Sequence, residues 1–497
     1  MTPVITHGIH RKLIPVATLV PLFLGAIAPV MLTTPAAAQD GWREPDIALT
    51  YDPGSSHKLY QINGDCDWVE WDATLANPTP TCNPTLSQTL TRADVLGDGL
   101  GASFEHDGSL IVIFGDTIGG APYYSKWARV SNSYMWQSGD PIAQSNTRHA
   151  EDGLLLNFFL AGTSPTLHAL PVQPPPQEPG DIPVDMGAFD IPNAGISLDG
   201  QIYLICSTGT TVDMSGNSNY SGDYSVLAGF DETNETFTSG RTISRIADGG
   251  HFVYMGLYEA PPWLLGEPPG GWMEPMVVMF GLGVYRDSNI YLSMIPKSQF
   301  WSGVDSNGNS STLYFTGMRR GHPEWSLNET AAVPVVTDLD PSSPTIGNFS
   351  VFYSEQLGLW LMMFDGGRNS TSTTGFYFAY ATQPWGPWST PQFIYNDCRD
   401  GGYGNFIFYY ADEAAHNDCP EALPIGTSTF PASAGPTGPM IGSNDPYTSR
   451  GGAFAPQMIQ RFTEINGNTL KIFYDLSTWN PYAVVLMESD FEITGAH

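Results

Sequence analysis

Leu96-Gly97-Asp98-Gly99-Leu100-Gly101-Ala102-Ser103-Phe104-Glu105-His106-Asp107-Gly108 runs directly into Ser109-Leu110-Ile111-Val112-Ile113-Phe114-Gly115-Asp116-Thr117. The stretch reads as strand, tight polar turn, strand, with Asp107-Gly108 as the hairpin signal. Similar units occur at Ala194 to Ser207 around Asp199-Gly200 and at Val277 to Pro296 around Asp287-Ser288. Two more occur at Phe349 to Gly366 around Leu357-Gly358 and at Met458 to Tyr474 around Asn466-Gly467. The turns recur about every 90 residues. That period is too wide for a solenoid and suits large propeller blades with inserted loops. Five units predict an all-β, five-bladed β-propeller, each hairpin forming the inner half of a blade.

Further segments fit second hairpins within the blades. Ser221 to Phe230, Thr312 to Thr316, Gly375 to Thr382 and Tyr482 to Asp490 alternate aromatic or β-branched residues with small or polar ones. Helical periodicity is nearly absent. The 53 glycines and 41 prolines are dispersed, as many short strands joined by turns require. Pro- and Gly-rich insertions separate the units at Val172 to Pro183, Pro261 to Pro275 and Asp397 to Pro456. The chain of 497 residues is read as a targeting segment over 1–38, an irregular lead over 39–92 and one propeller domain over 93–497.

Nineteen Lys and Arg stand against 50 Asp and Glu, a formal net charge of −31. A chain so poor in basic residues cannot build the face that tracks phosphates, which excludes nucleic acid and makes anionic membranes poor partners. An uncharged glycan meets no such barrier. Arg11 and Lys12 precede an apolar run from Leu13 to Leu32, and Ala36-Ala37-Ala38 offers a cleavage site. Pro15, Pro21 and Pro29 interrupt the run, so no membrane span is expected and the mature chain is read as secreted or periplasmic. In that compartment Cys66 with Cys82, and Cys398 with Cys419, can each close a local loop as a disulfide. Cys206 lies in an apolar strand and reads as a buried free thiol. No C-x-x-C and no paired His accompany the cysteines, so no zinc site is expected there.

Several chemistries are excluded by motif. There is no G-x-S-x-G elbow, no H-E-x-x-H and no G-x-x-x-x-G-K-[ST]. Gly97-Asp98-Gly99-Leu100-Gly101 leads into a strand rather than a helix, which removes the dinucleotide reading. Carboxylates remain. Hairpin pairing returns Asp116 to the end of the blade where Asp98 begins it. Two carboxyls so placed could protonate a glycosidic oxygen and act as base or nucleophile. They could equally cap strand ends beside glycines. Trp325, Trp385, Trp388 and Trp479-Asn480 fall at strand ends or loops, where rings stack on sugars or simply pack the blades.

Taken in order, Asp98 to Gly101 with Phe114-Gly115-Asp116-Thr117 opens a set of motifs. Phe280 to Arg286 leading into Ile290-Tyr291-Leu292, then Trp325-Ser326, Ser350-Val351 with Trp360, and Gly386-Pro387-Trp388-Ser389 follow. Trp479-Asn480-Pro481-Tyr482 and Val485-Leu486-Met487 close it. The set resembles a bacterial family long described only as a domain of unknown function, some of whose members are endo-acting D-arabinanases of glycoside hydrolase family 183. The resemblance spans roughly residues 90 to 492. It implies a five-bladed propeller, a polysaccharide substrate, a catalytic Asp pair falling on Asp98 and Asp116, and no metal or organic cofactor. Arg286, Trp325, Trp479, Asn480 and Tyr482 are then the candidate substrate contacts, all but Trp325 in the axial funnel. One departure is Asn348, where relatives carry an acidic residue before Ser350-Val351. Two other classes compete: a non-catalytic carbohydrate-binding propeller, and a sialidase, whose repeated boxes and arginine triad are missing.

Overall fold

The computed structural model describes residues 47–495, except 70–80, 120–127, 131–132, 136–139, 163–167, 173–188, 210–221, 266–272, 340–343, 368–373, 404, 408–450 and 480–481. Residues 1–38, read as a targeting segment, therefore lie outside the described residues. Among the described residues no helix is long and apolar enough to cross a membrane.

Five antiparallel sheets follow one another along the chain. Blade one is Val95–His106, Ser109–Gly119 and Asp140–Ser145, with Asn157–Phe158 and Pro171–Val172 on its rim. Blade two is Phe189–Leu198, Gln201–Gly209, Tyr224–Asp231 and Thr236–Arg245. Blade three is Tyr254–Ala260, Met276–Leu282, Ile290–Pro296, Leu313–Arg319 and His322–Ser326. Blade four is Phe349–Ser354, Leu359–Gly366, Gly375–Ala381 and Gln392–Tyr395. Blade five is Gly452–Met458, Thr469–Trp479 and Ala483–Gly495. The first strand of each blade packs against the first strands of its two neighbours, and the last returns to the first. This is a five-bladed β-propeller.

The second strand of each blade shows why the sequence folds this way. In Met276–Leu282, Val277 and Met279 enter the core shared with blade two, while Met276, Val278, Phe280 and Leu282 enter the core shared with blade four. Leu359, Leu361 and Met363 likewise face blade five, and Trp360, Met362 and Phe364 face blade three. A strand buried on both faces reads as a continuous apolar run because successive side chains point to opposite sides. Cys206 is such a residue, a thiol outside any disulfide, buried among Ile111, Ile113 and Phe230 between blades one and two.

Two expectations about the blades change. The hairpin around Asp287-Ser288 is not the inner half of blade three, because Tyr254–Ala260 lies inside it. A long connection separates this strand from its partner Met276–Leu282, so no short turn marked the pair. Residues 39–92, read as an irregular lead, supply Ile47–Tyr51 and His57–Gln61, both of which pair with Ala483–Gly495. Ile47 stands opposite Gly495 and Gln61 opposite Val485, so the chain's first strands complete its last blade. Leu49 and Tyr51 join the core between blades four and five. This closure removes an exposed sheet edge.

Candidate functional site

In each blade the first strand starts, and the second strand ends, at the same face of the propeller. The candidate carboxylates of the first hairpin sit there. Gly97 pairs with Ile118 and Gly99 with Gly115, so Asp98 alone faces Asp116 and Thr117 across a β-bulge. The backbone thus brings Asp98 and Asp116 together as the hairpin pattern anticipated. The side chains of Asp116 and Trp479, and Asn480 as a whole, lie outside the described residues.

Asp98 has no exposed surface. Neither carboxyl oxygen closes a hydrogen bond of ordinary geometry. Burial pushes its pKa up to about 8, against a smaller pull downward from Thr117 and Asn63, with Asp140 adding to the rise. An unpaired charge in a dry site is costly, so the acid stays neutral at pH 7. The groups around it are fixed in turn. Asp140 Oδ1 accepts the Thr117 N–H at 3.1 Å, and Asn63 Oδ1 accepts the Val484 N–H at 2.9 Å. Asn63 follows the closing strand His57–Gln61, so the chain's return to blade five also builds the wall behind Asp98.

A second buried acid stands nearby. Asp475, on Thr469–Trp479, presses its carboxyl against Gly101, where a Cβ would lie 2.5 Å from Oδ2. Its Oδ1 is buried without a hydrogen-bond partner, and burial raises its pKa well above the carboxylate range. Gly101 has φ +117°, and its neighbour Leu100 sits at φ +63°, a left-handed conformation costing a side-chain-bearing residue about 1–2 kcal/mol. Such an outlier persists only where the surroundings enforce it, and such strain clusters at active sites and ligand clamps. Tyr482 is buried, and its hydroxyl stands 2.7 Å from where a Cβ would be at Gly99. It braces the backbone beside Asp98 from within the wall.

Blade three contributes a polar and aromatic rim. Arg286 (φ +59°) donates its N–H to Ile346 O at 3.0 Å and stacks its guanidinium 4.7 Å over Tyr285. Its Nη2 lies 3.9 Å from Asp365 Oδ2, across the seam with blade four. Asp365 fills the space beside Gly347, so a carboxylate stands next to Asn348 even though position 348 itself is an amide. His251 and Tyr291 stack 3.9 Å apart with planes 7° from parallel, and both are half-buried. Trp325 lies on the outermost strand His322–Ser326, edge-on to Phe315 and Trp385. It packs blade three against blade four rather than facing the axis.

The axis holds a cavity of about 170 Å³ lined by all five first strands. Ser103, Asn193, Ser197, Ser350 and Gln457 contribute polar groups to it. Neither Asp98, Arg286 nor Tyr482 lines this cavity. Asp475, Asp365, Asn63 and the His251–Tyr291 stack were not anticipated from sequence. The one local signal for Asp475 is a lone acid inside the apolar strand Leu470-Lys471-Ile472-Phe473-Tyr474-Asp475-Leu476.

The fold and this acid-lined face define the class: a five-bladed β-propeller with buried carboxyls where its blades begin. Residues 85–488 match the family described as a domain of unknown function, DUF4185, and the chain belongs to that family. No curated protein matches it. Similar solved structures include a thermostable family-43 glycoside hydrolase, 11% identical, covering 80% of this chain and 93% of that one, TM-score 0.36. Another is an exo-1,5-α-L-arabinanase from a bovine ruminal metagenomic library, 8% identical, covering 82% and 99%, TM-score 0.36. A third is a protein of unknown function from Dyadobacter fermentans, 10% identical, covering 91% and 97%, TM-score 0.38.

Proposed function

We propose that this protein is an exported glycoside hydrolase that cleaves a furanoside polysaccharide, with endo-acting hydrolysis of D-arabinan the leading activity. The observation that carries the reading is Asp98, a buried carboxyl held neutral at pH 7 directly across a bulge from Asp116. Glycoside hydrolysis needs one carboxyl that still has its proton and another that has lost it. Asp98 is assigned the acid that protonates the leaving oxygen, and Asp116 the base or nucleophile. Asp475 and Tyr482 are positioning residues that hold the strand carrying Asp98. Arg286, Tyr285 and the His251–Tyr291 stack offer a donor and ring faces to sugar on the same side of the propeller, with Trp479 and Asn480 as further contacts. The export signal at 1–38 and the disulfides Cys66–Cys82 and Cys398–Cys419 belong to the same proposal. Cys66 and Cys82 lie on paired strands, Cys66 opposite Pro84 and Cys82 opposite Trp68, and Cys419 lies outside the described residues.

A second reading, a non-catalytic carbohydrate-binding propeller, draws on the same burial: Asp98 has no accessible surface of its own. Incubating the purified chain with D-arabinan, other furanosides and common pyranoside glycans separates the two. Release of oligosaccharides from a furanoside supports the hydrolase. Binding with no product at any pH between 4 and 9 supports the binding module.

A further inference from the structure

We propose that the opposite face of the propeller carries a site for a divalent transition cation of the zinc type, formed by His106, Asp107 and Glu232, which fastens blade one to blade two. His106 ends the first strand of blade one, Asp107 opens the following turn at φ +44°, and Glu232 lies in the turn after Tyr224–Asp231. One ligand atom from each lies within 4.8 Å of the others.

Carboxylates close together on a surface mean little alone. The observation that points to a cation is the imidazole. The His106 side chain is 3% exposed, and its Nδ1 is 2.8 Å from Ser197 Oγ. Its Nε2 is 3.3 Å from Glu232 Oε2 and 3.9 Å from Asp107 Oδ2. Yet Nε2 is buried and makes no hydrogen bond. An Nε2–H would lie near Glu232 without closing an ordinary hydrogen bond to it. The tautomer that donates Nδ1–H to Ser197 instead leaves a bare Nε2 lone pair facing two carboxylates, an arrangement that repels unless a cation sits between them. Metal-binding imidazoles donate their other ring N–H to an acceptor that fixes the tautomer, and here the Ser197 hydroxyl stands in that place.

The spacing suits the ion. Bonds of about 2.0–2.1 Å in a tetrahedral site set ligand atoms about 3.3 Å apart. The His106–Glu232 separation already has that value, and Asp107, 76% exposed, has room to swing in. One imidazole and two carboxylates leave a fourth position for water, and imidazole in the set favours zinc over calcium or magnesium. The site is far along the strand from Asp98, so its role is structural.

The test is titration of the untagged, chelator-treated full chain with ZnCl2, read by calorimetry and melting temperature. The proposal expects one ion per chain and a Tm rise of about 3 °C at hundredfold excess over Kd. Glu232→Gln and Asp107→Asn, both at exposed positions, should each weaken binding about tenfold or more and erase the rise while leaving the metal-free Tm unchanged. CaCl2 should give no rise that Glu232→Gln removes. Absence of zinc binding, zinc binding undiminished in both variants, or a calcium response that replaces the zinc response would each overturn the assignment. So would a fall in the metal-free Tm of Glu232→Gln with no zinc response in the parent, which would mark a plain ion pair.

Discussion

Replacing Asp98 by Asn should make the protein more stable at alkaline pH while removing its activity. In the folded chain Asp98 titrates at about 8 against an ordinary value of 3.8. Between those values the native state holds a proton that the unfolded state has lost, so stability falls as pH rises, by about 1.4 kcal/mol per pH unit. Across the whole window the loss reaches roughly 6 kcal/mol, and it is complete above the folded pKa. Unfolding entropy of about 2.1 cal/mol/K per residue gives roughly 1 kcal/mol/K for a fold of this size, so each pH unit lowers Tm by about 1.4 °C. Asn is neutral throughout and has the shape of the protonated acid. The wild-type and Asp98→Asn melting curves should coincide near pH 4 and diverge steadily, the variant melting about 4–6 °C higher by pH 9. Differential scanning calorimetry in buffers from pH 4 to 9 measures this directly. Parallel Tm–pH curves, or an Asn variant less stable at every pH, would refute the claim that Asp98 is buried neutral.

Gly101→Ala should cost about 2 kcal/mol or more, because its Cβ would meet the Asp475 carboxyl at φ +117°; urea unfolding at pH 6 reads it. Trp325→Ala should lose about 3 kcal/mol while kcat/KM on the active substrate stays within about twofold, since this ring packs an outer strand. Deleting residues 39–61 removes both strands that complete blade five and should leave insoluble chain, checked by soluble yield and circular dichroism against the parent.

Much of the fold is legible in local sequence because the inner hairpins of blades one and two close through two-residue turns and that of blade four through four residues, and their apolar runs declare burial on both faces. The innermost strand of blade three is not, since Tyr254–Ala260 meets its partner only after a long connection. Ile47–Tyr51 is less legible still: its partners start at Phe491, and no local spacing encodes a contact across the whole chain. The same division holds at the site. Asp98 and Asp116 share a hairpin, so their juxtaposition follows from register alone. Asp475 reaches Gly101 across the seam where the ring closes, and Arg286 reaches Asp365 across the seam between blades three and four. Those contacts depend on how blades pack. Trp325 shows the converse, a residue whose motif context suggested sugar contact but whose strand position gives it to the inter-blade core.

The most direct test of the hydrolase reading is product release from D-arabinan by wild type, Asp98→Asn and Asp116→Asn, with melting temperatures recorded at the assay pH. The account predicts that wild type releases arabino-oligosaccharides and that each variant loses turnover by about three orders of magnitude while remaining folded. Folded variants that still hydrolyse at the wild-type rate, or a folded wild type that cleaves no furanoside, would contradict it.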